Sequence, residues 1–399
     1  MRQLHFIINP FVIFGILWII IITLYKMEWS DLYPRLSTQL MFFLFFTILI
    51  SISIGYYTWK NHTFDFVHYD YKVKHIFVLK KALRILIVLL FVDVFYCGYI
   101  PLLTPIIDSK NNYLNYGMPT VHVVVVIGFL LVFICSFWFY KCCSDKKNKK
   151  ILLKLCALCT IQPLICYSRA QLLLMLSAAA LIIIACSDNL KKHIMIVGII
   201  SAVSLYLFGV VGNLRHSSYG FSFAEIVRAN QNFYRTGLSE TYLWPYIYIS
   251  SSLANVQNMI DTRGNVRPQA EGLDNFIINN LTVESIRKRL FKDASMESVA
   301  HNKNHLITTE LTVGSIYYGA YGSYKWIGMF LIFFYYLLII LLFIHIMPRK
   351  SIFKLPLIVC LVLMTLMSTF ANPFSQDYMI FPLIFFIGIA RFNKYKLTK

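Results

Sequence analysis

The sequence predicts an all-α polytopic membrane protein, with about ten transmembrane helices and one large extramembrane loop. Three observations carry this. Hydrophobic residues make up 58% of the 399-residue chain and charged residues only 14%, against about 45–50% and about 25% in soluble domains. The mean hydropathy is +0.65. The apolar residues also gather into ten runs, 6–25, 36–57, 76–99, 119–140, 151–167, 170–187, 194–212, 325–347, 355–371 and 378–392. A membrane span needs about 20 such residues. This composition excludes a soluble enzyme, a disordered chain and a disulfide scaffold.

The first run is followed by a second and by no small-residue cleavage site, so it reads as a span and not as a cleaved leader. The fifth and sixth runs are short and separated only by Ser168 and Arg169, which reads as a tight helical hairpin. Seven runs fill residues 1–212 as an N-terminal bundle, and three fill 325–399. Between them, residues 213–324 are too long for a connector and carry mixed charge, so they should hold helices of their own. Within that loop, 222–232 and 282–291 have amphipathic spacing. The semi-apolar stretch 241–260, with Trp244 and Tyr246, is expected to lie in the interface or dip toward the membrane.

The net charge is +19, from 37 Lys and Arg against 18 Asp and Glu. In a soluble protein that would suggest nucleic acid. Here it follows topology, because cytoplasmic loops collect Lys and Arg. With both termini inside, 22 basic residues fall on the cytoplasmic side, while the short outer loops hold only Lys26, Arg35, Lys110 and Arg169. The bilayer is therefore the expected partner, with no nucleic acid, and loop 213–324 lies outside. Most of the nine cysteines lie in or beside apolar runs, where they behave as small hydrophobes. Cys156 and Cys159 form a C-x-x-C with no second pair, so no metal is expected.

The residues that bear chemistry cluster at the outer ends of spans. Arg169 between two short apolar runs either snorkels to headgroups or holds an anion. Arg215 leaves the seventh run in Gly212-Asn213-Leu214-Arg215, and Arg287 and Arg289 follow later. Arginine suits bidentate phosphate contact, although the same residues would also form a solvated face. His301 and His305 lead through Glu310 into a Gly- and Tyr-rich run containing Tyr317, Tyr318 and Tyr321. Histidine there would serve as a general base near neutral pH, or the stretch is an ordinary capped helix entry. Asp93 and Asp377 are expected to pair with Arg169 or Arg215.

In this order and spacing, "YSRAQLLLML", "GNLRHSS", "YIYISSSLANVQN" and "HNKNHLITTELTVGSIYYGAYGS" resemble the O-antigen or oligosaccharide repeat-unit polymerases (Wzy-type), more distantly the O-antigen ligases. The resemblance implies a glycosyltransferase-C-like fold in the bacterial inner membrane. It implies a metal-independent glycosyltransferase without cofactor, working at the periplasmic face on undecaprenyl-pyrophosphate-linked oligosaccharide, with a chain-length regulator as partner. Arg169, Arg215, Arg287 and Arg289 would bind the pyrophosphate. His301, His305 or Glu310 would act as base, and Tyr317, Tyr318 and Tyr321 would line the sugar site. The competing readings are an O-antigen ligase and a lipid-linked sugar flippase. The single large outer loop speaks against the flippase.

Overall fold

The computed structural model describes residues 6–66, 74–103, 116–216, 222–263, 272–291 and 304–397. Each of the ten apolar runs lies largely on a helix. These are α1 Pro10–Tyr25, α2 Thr38–Lys60, α3 Lys74–Cys97, α4 Val121–Cys142, α5 Lys146–Ile165, α6 Arg169–Ala185 and α7 Leu190–His216. Short helices α8 Phe223–Ile226 and α9 Gln231–Tyr234 follow, then the long α10 Leu243–Arg263. After α11 Leu273–Phe276 and α12 Glu284–Leu290 come α13 Ser315–Ile346, α14 Lys354–Met367 and α15 Asp377–Leu397. Among the described residues there is no strand, only an isolated antiparallel bridge between Ser30 and Ala229. Among the described residues, four helices are long and apolar enough to cross a membrane: α2, α4, the Leu190–Leu207 part of α7, and α13. α1, α6 and α14 are apolar but shorter.

Local chemistry explains the helix starts and the close packing. Asn9 caps α1 by accepting from Phe11 N at 3.0 Å, and Pro10 takes the first helical position, where a missing N–H costs nothing. The same side chain donates to Gly55 O at 3.1 Å and Thr58 Oγ1 at 2.9 Å, locking α1 to α2. A Cβ at Gly55 would stand 2.6 Å from Val12 Cγ2, so the crossing needs glycine there. Behind α1, Trp18 and Tyr317 are fully buried with ring centroids 5.2 Å apart.

The structure refines the long loop at two places. First, α10 is built into the helical bundle. It packs between α1, α7 and α13, and Ser250, Ser252, Asn255 and Gln257 on it are fully buried. Its small and amide side chains suit a helix whose polar atoms find partners inside a bundle. Second, the single helix expected over 222–232 is two. A capping box between Ser222 and Glu225 starts α8, but the chain then breaks at Arg228, whose φ is +48°. The freed carbonyls of Val227 and Arg228 accept from Ser30 Oγ at 2.6 Å and Asp31 N at 3.0 Å. Pairing with the α1–α2 connection replaces another helical turn.

α13 is also two helices across a break at Tyr324 and Lys325, where φ and ψ leave the helical region. The two pieces close tightly enough that a Cβ at Gly328 would lie 2.2 Å from Ala320 O.

Candidate functional site

A cavity of about 720 Å³ opens where several helix ends meet. α4 begins there, α6 begins at Arg169, α14 ends, and α15 begins at Asp377. Tyr248 on α10 and Glu284 on α12 close its sides. Its lining divides by chemistry. Val123, Val126, Ile127, Leu173, Leu174 and Leu366 make an apolar wall, while His122, Gln162, Arg169 and Asp377 bring polar atoms. The site is therefore amphiphilic.

Arg169 owes its place to a tight turn. α5 ends after Pro163, and Tyr167 takes φ +55°, a conformation few non-glycine residues adopt. Ser168 then caps α6 by accepting from Gln171 N at 3.4 Å. Arg169 is the first residue of α6, exposed at the cavity. A cation is the wrong charge for a helix N-terminus, where free N–H groups favour anions. No carboxylate among the described residues lies within ion-pair distance of it. An anion bound there would gain from both the guanidinium and the helix end.

The opposite side is built on α3. Asp93 is fully buried and accepts from Met118 N at 3.0 Å and His122 Nδ1 at 2.8 Å. Two backbone features hold that loop. Gly117 has φ +104°, and a Cβ there would fall 2.3 Å from His122 Cγ. Thr120, just before α4, has φ +74°, and strain of this kind clusters at functional sites. Tyr116 meets the His122 ring edge-on at 5.5 Å. Burial raises the Tyr116 phenol above its usual pKa, aided by Cys166 and Asp93, so it stays a hydrogen-bond donor. Both Tyr116 Oη and Gln162 Oε1 are buried at the cavity without a hydrogen-bond partner among the described residues.

The expected site residues fare unequally. Arg169 lines the cavity. Arg215 lies in the last turn of α7, and its side chain is outside the described residues, as is all of His301. The helix end carrying Arg215 is docked firmly, because Asn213 Oδ1 accepts from Trp244 Nε1 at 2.6 Å and a Cβ at Gly212 would stand 2.4 Å from the Trp244 ring. Arg287 and Arg289 do not line the cavity. Arg287 donates to Asn279 O at 3.0 Å, and Arg289 donates to the Thr120 hydroxyl, tying α12 to the start of α4.

His305 and Glu310 are also outside the cavity lining. The His305 carbonyl accepts from Asn258 Nδ2 at 2.8 Å, and Nδ1 lies 2.7 Å from Thr262 Oγ1. Burial, then Arg263, lowers the His305 pKa. The Thr308 and Thr309 hydroxyls donate to the Glu310 carboxylate and lower its pKa. The tyrosines are a correction. Tyr317 is fully buried between Trp18 and Phe43, and Tyr318 and Tyr321 are 7% and 6% exposed. They are packing residues of α13 and face no described cavity. The aspartates have other partners: Asp93 holds His122, and Asp377 accepts from Ser285 Oγ at 2.7 Å and Ser285 N at 3.2 Å; neither pairs with Arg169, and pairing with the Arg215 side chain lies outside the described residues.

The sequence reading missed His122. Its signal was Asp93, an acid within an apolar run, which needed a partner from another helix. Searches against protein-family models, curated proteins and solved structures find no match to this chain.

Proposed function

We propose that the chain crosses the bacterial inner membrane ten times with both termini in the cytoplasm, and polymerises oligosaccharide repeat units carried on undecaprenyl pyrophosphate. The growing glycan leaves its pyrophosphate carrier and joins the acceptor sugar of another carrier-linked unit at the periplasmic face. One observation carries this reading: Arg169, with no carboxylate in ion-pair range among the described residues, stands at a helix N-terminus on a cavity that also has an apolar wall. That pairing suits a ligand with a diphosphate head and a hydrocarbon tail. A fixed guanidinium at the departing diphosphate stabilises charge that develops in the transition state. Binding therefore needs no metal in this reading.

Deleting the gene and examining surface glycan tests the reading. Glycan reduced to one repeat unit, still capped on its core, supports the polymerase. Loss of all capping replaces it with the ligase, and accumulation of lipid-linked units on the inner leaflet replaces it with the flippase.

A further inference from the structure

We propose that His122, oriented by Asp93, is the general base that takes the proton from the acceptor hydroxyl, and that Tyr116 and Gln162 hold that hydroxyl. This rests on the transferase reading above and assigns its missing base.

The argument starts from Asp93. A carboxylate accepts hydrogen bonds, so with Asp93 as the acceptor of the 2.8 Å contact, His122 presents its N–H at Nδ1. The lone pair is then on Nε2, at the other ring edge. His122 lines the cavity with its side chain 27% exposed, while Asp93 beneath it is fully buried. No hydrogen bond to Nε2 is made within the described residues. A carboxylate that fixes tautomer and ring direction, with the second nitrogen open to a cavity, is the arrangement general bases use.

The neighbouring polar atoms give an independent reason to place a hydroxyl there. Gln162 is fully buried, and its Oε1 has no donor within the described residues. Tyr116 Oη, buried in the same lining, has no partner either. Leaving a buried polar group unpaired costs about 1–3 kcal/mol. Tyr116 and Gln162 share the lining with His122, so an alcohol taken up beside His122 Nε2 would have a donor in Tyr116 and an acceptor in Gln162 close by. A sugar hydroxyl is the alcohol the proposed reaction supplies. His305 and Glu310, the bases expected from sequence, lie outside this lining.

The step balances. The acceptor oxygen forms a bond to the anomeric carbon of the donor glycan. Its proton passes to His122 Nε2. The bond between that carbon and the phosphate oxygen breaks, and its electron pair leaves on the diphosphate. His122 then returns its proton to the diphosphate or to water. Asp93 touches no substrate; it is a positioning residue.

His122→Asn and Asp93→Asn are the variants to make. His122→Asn retains a donor for Asp93 but has no second nitrogen to act as base. Purified proteins in lipid nanodiscs are assayed for binding of undecaprenyl pyrophosphate, and for turnover of lipid-linked units extracted from cells lacking the gene. His122→Asn is expected to bind the diphosphate lipid as wild type does and to lose about 100-fold or more in kcat. Asp93→Asn is expected to lower kcat at least about tenfold at unchanged KM, and this decides the matter should His122→Asn fail to fold. Wild-type turnover in His122→Asn overturns the base assignment and leaves the transferase reading standing. Equal loss of lipid binding and turnover overturns it as well, since His122 would then be structural. Absence of turnover in the wild-type protein overturns both.

Discussion

Arg169 is the residue on which the functional reading turns, and it contributes nothing evident to the fold. Its side chain is exposed and its charge opposes the α6 dipole. Arg169→Ala is therefore expected to leave protein level and thermal stability unchanged while abolishing long-chain glycan, scored on gels of surface polysaccharide. Gly117 behaves oppositely. At φ +104°, with His122 Cγ 2.3 Å from an added Cβ, Gly117→Ala should displace His122. A backbone misfit of this kind costs about 1–3 kcal/mol, which should appear as a lower melting temperature together with reduced turnover. His305 makes a pH prediction. Burial and Arg263 hold its folded pKa below the ordinary 6.5, so the folded state binds fewer protons than the unfolded one. Its stabilising contribution is complete above that ordinary value and declines as pH falls below it. Melting temperature between pH 8 and pH 5 should fall less steeply in His305→Gln than in wild type; parallel curves would refute this.

At the scale of elements, α10 is where sequence and structure part most clearly. The sequence reads it as semi-apolar, lying in the interface or dipping toward the membrane. In the fold that polarity is internal. Asn255 donates at 2.7 Å to both Leu311 O and Val313 O, and accepts from Ile307 N at 2.9 Å. One amide thus staples the 304–314 segment to the bundle. Asn255→Ala should cost on the order of 1–3 kcal/mol for each buried group left unpaired, read as a large drop in melting temperature or as protease cutting between His305 and Val313. No periodicity rule finds such a residue, because its partners lie more than fifty positions away and are backbone atoms. The same blindness hid the Asp93–His122 pair, which spans two helices, and misplaced Tyr317, whose position in an apolar, Gly-rich run suits a sugar site and a packed core equally. Helix positions were legible because each long apolar run forces a helix. The split of 222–232 was not, because the competing partner is the α1–α2 connection.

For the molecule as a whole, the proposed orientation rests on charge: with ten spans and both termini inside, 22 basic residues would fall on one side against four in the short loops of the other. Alkaline phosphatase fused after Leu238 should be active outside the cytoplasm, and fused after Lys150 inactive; the reverse pattern would invert the topology. A helix from the long loop, α10, is built into the bundle and contributes Tyr248 to the cavity wall, so the loop and the bundle form one site. The central claim is that this site grips a diphosphate lipid through Arg169. Titrating purified protein with undecaprenyl pyrophosphate, for wild type and Arg169→Ala at one salt concentration, tests it directly. A charged hydrogen bond worth about 1.5–3 kcal/mol corresponds to roughly a 10- to 150-fold weaker Kd in the variant. Equal affinities, or no saturable binding by the wild type, would contradict the account.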